Sequence, residues 1–227
     1  MIGPASGDDE EASQTPAFPD SDDRLVLEPD CARCPALAAS RECISWGVGP
    51  RDADVVVVGE APGAGDPEAE QWRGGNWTGM AYTTRHSGRR VRETMAAVGY
   101  ADRTFYTNAV KCFPSDGAGS NRDPTAEERE TCRTHLLAEV EALDPAVVVT
   151  TGRHATESVL AADGRTVDGF VDSVLDPVRC DSLGVTVVPL LHPSYRDVWL
   201  GRLDLSLSAY RARLATLLDS LVGEAHS

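Results

Sequence analysis

The sequence predicts an α/β protein of three layers, α/β/α, around a central four-stranded, mainly parallel sheet. Four short apolar runs with strand character are spaced along the chain, and the segments between them have a helical pattern. The first run reads D-V-V-V-V-G, which is typical of a strand covered on both faces. Strands that alternate with helices form parallel sheets, and such sheets bind ligands at the carboxyl ends of their strands.

The first half of the predicted domain contains two strands and two helices. Strand Asp54–Gly59 is a β-branched run that ends in the Gly/Pro turn 59–63. Ser87–Val98 has a helical pattern, and Phe105–Val110 is the next strand-like run. Thr125–Leu143 is predicted as a helix because its T-A-E-E start is a capping box behind a proline.

The second half repeats the alternation. Ala146–Thr150 is a third apolar strand, and Arg153–Leu160 is predicted as a helix. The fourth strand, Val185–Leu191, ends in an L-H-P-S loop. Ser206–Leu221 has an amphipathic pattern and is expected to close the domain as a helix.

Composition predicts one domain with a tail. Residues 1–24 are rich in Asp, Glu, Ser, Gly and Pro and are expected to be a disordered acidic tail, whereas 25–222 can bury one core. No run approaches the roughly 18 apolar residues of a membrane helix, so no membrane association is expected. Without an apolar export signal at the start, a reducing, cytoplasmic setting and a monomer are expected.

The charge balance weakens one function class. The net charge is −15, with 20 arginines and one lysine, which argues against non-specific nucleic-acid binding at ordinary salt. An acidic, lysine-poor composition also suits a halophile, because concentrated salt screens long-range repulsion. A local basic cluster at Arg85, Arg89, Arg90 and Arg92 leaves a DNA-binding role open.

Four cysteines predict a metal-type site. Cys31 and Cys34 form C-A-R-C, while Cys112 and Cys132 lie far along the chain. In a reducing compartment, metal ligation outranks disulfide formation. The spacing leaves zinc and an iron–sulfur cluster both open. Cys43 and Cys180 are expected to be ordinary small residues.

Three polar features converge on one edge of the predicted sheet. The glycine-rich loop 59–63, Asn108 and His192 each lie at the carboxyl end of a predicted strand. Because the carboxyl ends of parallel strands lie at the same edge of a sheet, we expect the three features to lie close together. A loop with free backbone N–H groups, an amide that donates and accepts, and an imidazole beside a proline would form a candidate active site there. Each feature alone is more often structural.

Five segments of the chain resemble a known family. The C-A-R-C-P segment with Cys112 and Cys132 is similar to the ligand set of the iron–sulfur uracil-DNA glycosylases of the family 4 type. Four further segments resemble that family in order, over roughly residues 28–220: Gly59-Glu60-Ala61-Pro62-Gly63, Thr107-Asn108-Ala109-Val110-Lys111-Cys112, Asn121-Arg122-x-Pro124 and His192-Pro193-Ser194.

The resemblance implies a fold, an activity and a cofactor. The expected reaction is hydrolysis of the bond between uracil and deoxyribose, with the base extruded from DNA. His192 would donate to the uracil O2 anion, and Asn108 would pair with the uracil edge. A [4Fe–4S] cluster on Cys31, Cys34, Cys112 and Cys132 would clamp the N-terminal segment and the 113–131 loop, far from the chemistry.

Further contacts follow from the same resemblance. Asp66 is expected to orient the attacking water or to exclude a thymine methyl, the alternative being a solvated loop aspartate. Substrate contacts are expected from Glu60, Ala61, Pro62, Gly63, Trp77, Tyr82, Asn108 and Ser194. DNA contacts are expected from Asn121, Arg122, Pro193 and Tyr195.

The chain departs from the family between residues 74 and 88. A phenylalanine that stacks on uracil in the family is replaced by a G-G-N-W-T-G stretch with extra residues after it, so either Trp77 or Tyr82 is the stacking ring. Two alternatives to a uracil glycosylase follow. One is a non-catalytic iron–sulfur protein of the same fold that binds nucleic acid, and the other is a glycosylase for another deaminated base such as hypoxanthine or xanthine.

Overall fold

The computed structural model describes residues 16–226, and a single mixed sheet lies at its centre. Within these residues the sheet has seven strands: β1 Arg24–Leu25, β2 Gly47–Val48, β3 Val55–Gly59, β4 Thr104–Asn108, β5 Val147–Thr151, β6 Val178–Cys180 and β7 Val185–Leu190. They pair in the order β1-β2-β4-β3-β5-β7-β6.

The four predicted strands form the parallel centre of this sheet. β3 pairs in parallel with β4 and with β5, and β5 pairs in parallel with β7. The sheet is wider than the predicted four strands because β1 and β2 extend one edge and β6 the other, all antiparallel. These additions are two or three residues long, too short for a periodicity in the sequence to reveal them.

Helices cover both faces of the sheet, so the three-layer prediction is confirmed. The part of the chain that the structure describes has seven α-helices: α1 Pro35–Ser40, α2 Gly75–Thr78, α3 Ser87–Ala97, α4 Ala126–Leu143, α5 Arg153–Leu160, α6 Arg196–Arg202 and α7 Leu207–Ala225. Residues of α3, α6 and α7 pack on one face of the sheet, and those of α4 and α5 pack on the other. A hydrophobic core lies on each face of the sheet. The buried valines of β3 and β5 point alternately to the two faces and so contribute to both cores.

The predicted helix starts agree closely with the structure. Thr125 caps α4 through its side chain, and Glu128 completes the capping box by accepting from the Thr125 backbone N–H. Ser206 caps α7 by accepting from the Ala209 N–H. Helices α1, α2 and α6, of four to seven residues, were not predicted.

The predicted tail lies largely outside the described residues, which begin at 16. Within the described part, residues 16–24 differ from the expectation of disorder. Ser21–Asp23 forms a 3-10 turn, and Arg24 pairs with Val48 in the sheet. The Phe18 ring packs edge-on against Trp72, with 5.2 Å between ring centroids, so apolar burial holds part of this segment.

Among residues 16–226, no helix is both long enough and apolar enough to cross a membrane.

Candidate functional site

A cleft of about 560 Å³ opens at the carboxyl ends of the parallel strands. Strand register explains its position, because Gly59 lies opposite Asn108 and Thr151 lies opposite Leu190, just before His192. The lining combines the predicted residues with others: Gly59, Glu60, Ala61, Pro62, Gly63, Gly75, Tyr82, Thr84, Ser87, Asn108, Pro114, Asn121, Arg122, Asp123, Pro124, Thr151, Gly152, Arg153, His154, His192, Pro193, Ser194 and Tyr195.

Asn108 and Tyr82 meet over the end of β3. A Cβ atom on Gly59 would lie 2.4 Å from the Asn108 Oδ1 and 2.8 Å from the Tyr82 hydroxyl, so only glycine leaves room for both side chains. Asn108 is buried, at the last residue of β4. The cleft floor therefore holds a carboxamide and a phenol ring side by side.

His192 enters the same cleft from the loop after β7. It packs on Gly152, whose φ is +93° and where a Cβ would lie 3.2 Å from the His192 Cβ. The Ser194 backbone N–H donates to the His192 Nδ1 over 3.2 Å, which leaves the proton of the neutral ring on Nε2. Burial, and secondarily His154, lower the pKa of His192, so the ring is neutral at pH 7.

The structure separates the two aromatic candidates. Tyr82 lines the cleft, and its hydroxyl is 2.6 Å from the Thr151 Oγ1. Trp77 does not line the cleft; its Nε1 donates to the Ala64 carbonyl over 2.8 Å and so supports the glycine-rich loop from behind. Burial raises the pKa of Tyr82, so its hydroxyl stays protonated.

Arg92 holds the Tyr82 turn. Tyr82 has a φ of 54°, an uncommon conformation for a residue with a side chain. The buried Arg92 donates to the carbonyls of Tyr82 and Ala81 over 3.0 and 3.3 Å, and it stacks 4.0 Å from the centroid of the Tyr106 ring. Two carbonyl contacts and a cation–π contact together fix the strained turn.

The expected role of Asp66 finds no support in its position. Asp66 is exposed on a turn outside the cleft lining, where its Oδ1 accepts from the Glu68 N–H over 3.0 Å. Among residues 16–226, the carboxylates that line the cleft are those of Glu60 and Asp123. Glu60 Oε1 is 2.8 Å from the Nδ1 of His154, a cleft residue that no motif in the sequence marks.

The predicted DNA-contacting residues surround the cleft mouth. Asn121 Oδ1 accepts from the Ala64 N–H over 3.0 Å, which ties its loop to the glycine-rich loop. Arg122 donates to both Glu128 carboxylate oxygens, over 2.6 and 2.7 Å, so its guanidinium is engaged within the protein. Pro193 is buried, whereas 61% of Tyr195 is exposed beside His192.

The predicted basic cluster is largely neutralised. Arg92 is buried, Arg89 pairs with Glu93 at 3.7 Å, and Arg90 pairs with Asp197 at 3.5 Å. The sequence could not reveal this because the acidic partner of Arg90 lies on α6, far along the chain. The surface around these arginines therefore carries less unpaired positive charge than four arginines in the sequence would indicate.

The four predicted ligand cysteines lie together. Cys31, Cys34, Cys112 and Cys132 line one small pocket on the α4 side of the molecule. The Lys111 backbone N–H donates to the Cys132 Sγ over 3.3 Å, and Arg41 Nη1 donates to the Cys112 Sγ over 3.2 Å. Donors directed at sulfur stabilise the thiolate form that a metal centre requires.

A buried imidazole supports the fit of a metal group in this pocket. The Nε2 of His135 is buried without a hydrogen-bond partner among the described residues. It lies within 4.8 Å of the Cys31 Sγ and a Glu28 carboxylate oxygen. Burial raises the pKa of Cys132 to about 11, so this thiol is protonated at pH 7 unless a cation holds it. Four thiols beside a buried imidazole, whose Nε2 is 3.6 Å from a Glu28 carboxylate oxygen, fit a bound metal group.

Comparison with known proteins agrees with this geometry. Residues 46–215 match the model of the uracil DNA glycosylase superfamily. A type-5 uracil-DNA glycosylase of Pyrobaculum aerophilum is 31% identical over 227 aligned residues, which cover 87% of this chain and 92% of that protein. A type-4 uracil-DNA glycosylase of Thermotoga maritima is 34% identical over 170 residues, covering 73% of this chain and 77% of the relative. A type-4 enzyme of Archaeoglobus fulgidus is 38% identical over half of each chain.

Proposed function

The chain belongs to the uracil DNA glycosylase superfamily, and on that premise we propose that it hydrolyses the N-glycosidic bond of uracil in DNA and so initiates base excision repair. The observation that carries the proposal is that Asn108 and His192, from distant strands, line one open cleft. The diverged 74–88 segment does not fill this cleft; it contributes Gly75, Tyr82, Thr84 and Ser87 to the walls. This openness counts against a non-catalytic protein.

His192 supplies the donor for the leaving base. As the C1′–N1 bond breaks, negative charge develops on the uracil, chiefly on O2. A neutral imidazole with its proton on Nε2 can donate a hydrogen bond to that oxygen. Its rigid support on Gly152 and the Ser194 N–H keeps the donor in place, which favours stabilisation of the transition state over the ground state.

Asn108 supplies recognition of the base. Its amide can accept from the uracil N3–H and donate to O4, and an amide held in that orientation would face the reverse pattern of cytosine with both of its groups unpaired. The Tyr82 ring beside it provides a stacking surface, and its bond to Thr151 limits the depth of the pocket. A purine such as hypoxanthine would present a larger ring system to this floor.

The cleft mouth provides the DNA-facing surface. The loop Glu60 to Gly63 can approach the extruded nucleotide closely, and Ser194 and Tyr195 project at the rim. Asn121 would add a polar contact, while Arg122 acts chiefly by bracing its loop on Glu128. With few free arginines there, we infer modest DNA affinity for a monomer acting in a reducing cytoplasm.

We also infer that the four cysteines hold a [4Fe–4S] cluster, as the family resemblance implies. The cluster would link the N-terminal segment to β4 and α4, and its contribution is structural. Lys111 and Arg41 donate to the sulfur ligands, and the His135 Nε2 lies within 4.8 Å of the Cys31 Sγ. An iron-free protein with full zinc occupancy would overturn this assignment.

The proposal is tested with pure protein and oligonucleotides that contain one uracil, hypoxanthine or xanthine, single- or double-stranded. Alkali cleaves the strand wherever an abasic site forms, and the assay is repeated from low to molar KCl because the acidic composition predicts salt tolerance. We expect cleavage at uracil. Cleavage confined to a purine would favour the alternative substrate, and none on any substrate at any salt would favour the binding protein.

A further inference from the structure

The Glu60 carboxylate and the His154 imidazole form a pair in the cleft that the proposed chemistry does not yet use. Glu60 follows β3, and His154 is the second residue of α5, which follows β5. Because β3 and β5 are paired in parallel, their carboxyl ends adjoin and bring together two residues that are 94 positions apart. The Glu60 Oε1 and the His154 Nδ1 are 2.8 Å apart, a hydrogen-bonding distance.

The pair is built on rigid supports. The Glu60 carbonyl accepts from the Val110 N–H over 2.9 Å, which continues the pairing of β3 with β4 beyond the strands. His154 lies in the first turn of a regular helix whose following residues, Ala155 and Thr156, are buried. The His154 side chain therefore restrains a loop carboxylate from a fixed helix.

Hydrolysis of the glycosidic bond needs a group that holds the attacking water, and the supported Glu60 carboxylate can provide it. His192 and Asn108 are directed to the base, which leaves the attacking water without a partner in the proposed chemistry. Among the described residues that line the cleft, Glu60 and Asp123 carry carboxylates, and Asp123 is exposed at the mouth. Glu60 is 23% exposed in its side chain, and only its Oε1 is bound by a described side chain, which leaves Oε2 for a water molecule.

We propose that Glu60 holds the attacking water and accepts its proton, and that His154 positions the Glu60 carboxylate for this step. The water oxygen bonds to C1′ while the C1′–N1 electron pair leaves with uracil, whose charge His192 stabilises. The water proton passes to Glu60 and then to solvent, and uracil is protonated after release. This inference rests on the proposed function, deepens it, and assigns to Glu60 the role that the sequence suggested for Asp66.

The test is a double-mutant cycle in single-turnover cleavage of uracil DNA. Glu60→Gln should slow the chemical step about 10²-fold with little change in KM, because the amide cannot accept the proton. His154→Phe should slow it by up to about 10²-fold, the scale of a misplaced catalytic group. His154→Asn, which can still donate to Oε1, should recover part of the rate. The double variant Glu60→Gln/His154→Phe should be no slower than Glu60→Gln alone, because His154 acts through Glu60.

Glu157→Gln on the same helix is the matched control, since it makes the same change outside the cleft and should keep the wild-type rate. Melting temperature and uracil-DNA affinity, measured for every variant, separate misfolding from a slowed step. A wild-type rate in Glu60→Gln, a slow Asp66→Asn beside it, or fully additive losses in the cycle would each overturn the inference. A wild type that cleaves no uracil DNA would instead refute the proposed function itself.

Discussion

Lys111, the single lysine of the chain, forms a fully buried ion pair with Glu139, with 2.6 Å between Nζ and Oε2. The same Nζ donates to the Asn108 carbonyl over 2.6 Å and to the Thr107 Oγ1 over 2.7 Å. Glu139 lies on α4, the helix that carries Cys132, whereas Asn108 ends β4. The pair thus joins the cysteine-bearing helix to the strand end that bears the candidate base reader.

Lys111→Met should therefore lower the free energy of unfolding by about 3–5 kcal/mol, because it leaves the Glu139 carboxylate buried without its cation. Urea denaturation measures the change. Lys111→Met/Glu139→Met should recover much of the loss, since no buried charge remains. Arg103→Met is the control: the Arg103 side chain is half-exposed, so its ion pair with Asp54 is worth about 1 kcal/mol or less. Equal stability of Lys111→Met and wild type would contradict the network.

Asn108→Ala and His192→Ala should each reduce turnover on uracil DNA by about 10²-fold or more, the scale of losing one positioned donor to a developing anion. Steady-state cleavage at saturating substrate measures the effect. His86→Ala is the control, because His86 is exposed and outside the cleft lining. Wild-type turnover in either cleft variant would remove the basis of the proposed chemistry.

Tyr82→Ala should lower kcat/KM by roughly 10- to 10²-fold, since base–aromatic stacking contributes about 1–3 kcal/mol. Tyr82→Phe keeps the ring and loses only the bond to Thr151, so its loss should be much smaller. Trp77→Phe, which alters the ring behind the loop, serves as the comparison and should stay near wild type. A larger loss in Trp77→Phe than in Tyr82→Ala would reverse the assignment.

Cys31→Ala should remove the brown colour and the iron of the purified protein and reduce its solubility, because one of four thiolates is lost from the proposed cluster. Absorbance near the visible thiolate-to-iron bands and iron analysis measure this. Cys43→Ala is the control, since the Cys43 Sγ donates to the Trp77 carbonyl over 3.8 Å and Cys43 lies outside the four-cysteine pocket. Full iron in Cys31→Ala would exclude it as a ligand.

Acid should destabilise the protein in part through His192. Its pKa is lowered in the folded state by burial and by His154, so below the ordinary value of about 6.5 the unfolded chain binds a proton that the folded chain does not. Stability therefore falls as the pH drops from 7 toward 5. In His192→Asn this contribution is absent, and its melting temperature should fall less over that range. Parallel pH profiles of the two proteins would contradict the buried neutral state.

The sequence was sufficient for the elements whose signals are local. Continuous valine runs predicted the buried parallel strands, and the Thr125 capping box predicted the start of α4 to within one residue. The strand-end positions of Asn108 and His192 predicted that they share a cleft. Strands β1, β2 and β6 were missed because two or three residues carry no periodic signal and are held only by pairing with a neighbour.

Other features depend on register and packing between distant segments. Whether Tyr82 or Trp77 faces the cleft follows from the turn that Arg92 holds, and no composition signal marks that turn. Glu60 meets His154 because two parallel strands align their ends, and Arg90 is neutralised by an aspartate on another helix. Propensity and patterning act over a few neighbouring residues, whereas the partner of a polar side chain is chosen by how whole elements align. The sequence alone therefore predicts the layers of the fold, the four cysteines of the metal-type site and the polar groups at the strand ends. Only the tertiary structure determines which residues each of these groups contacts.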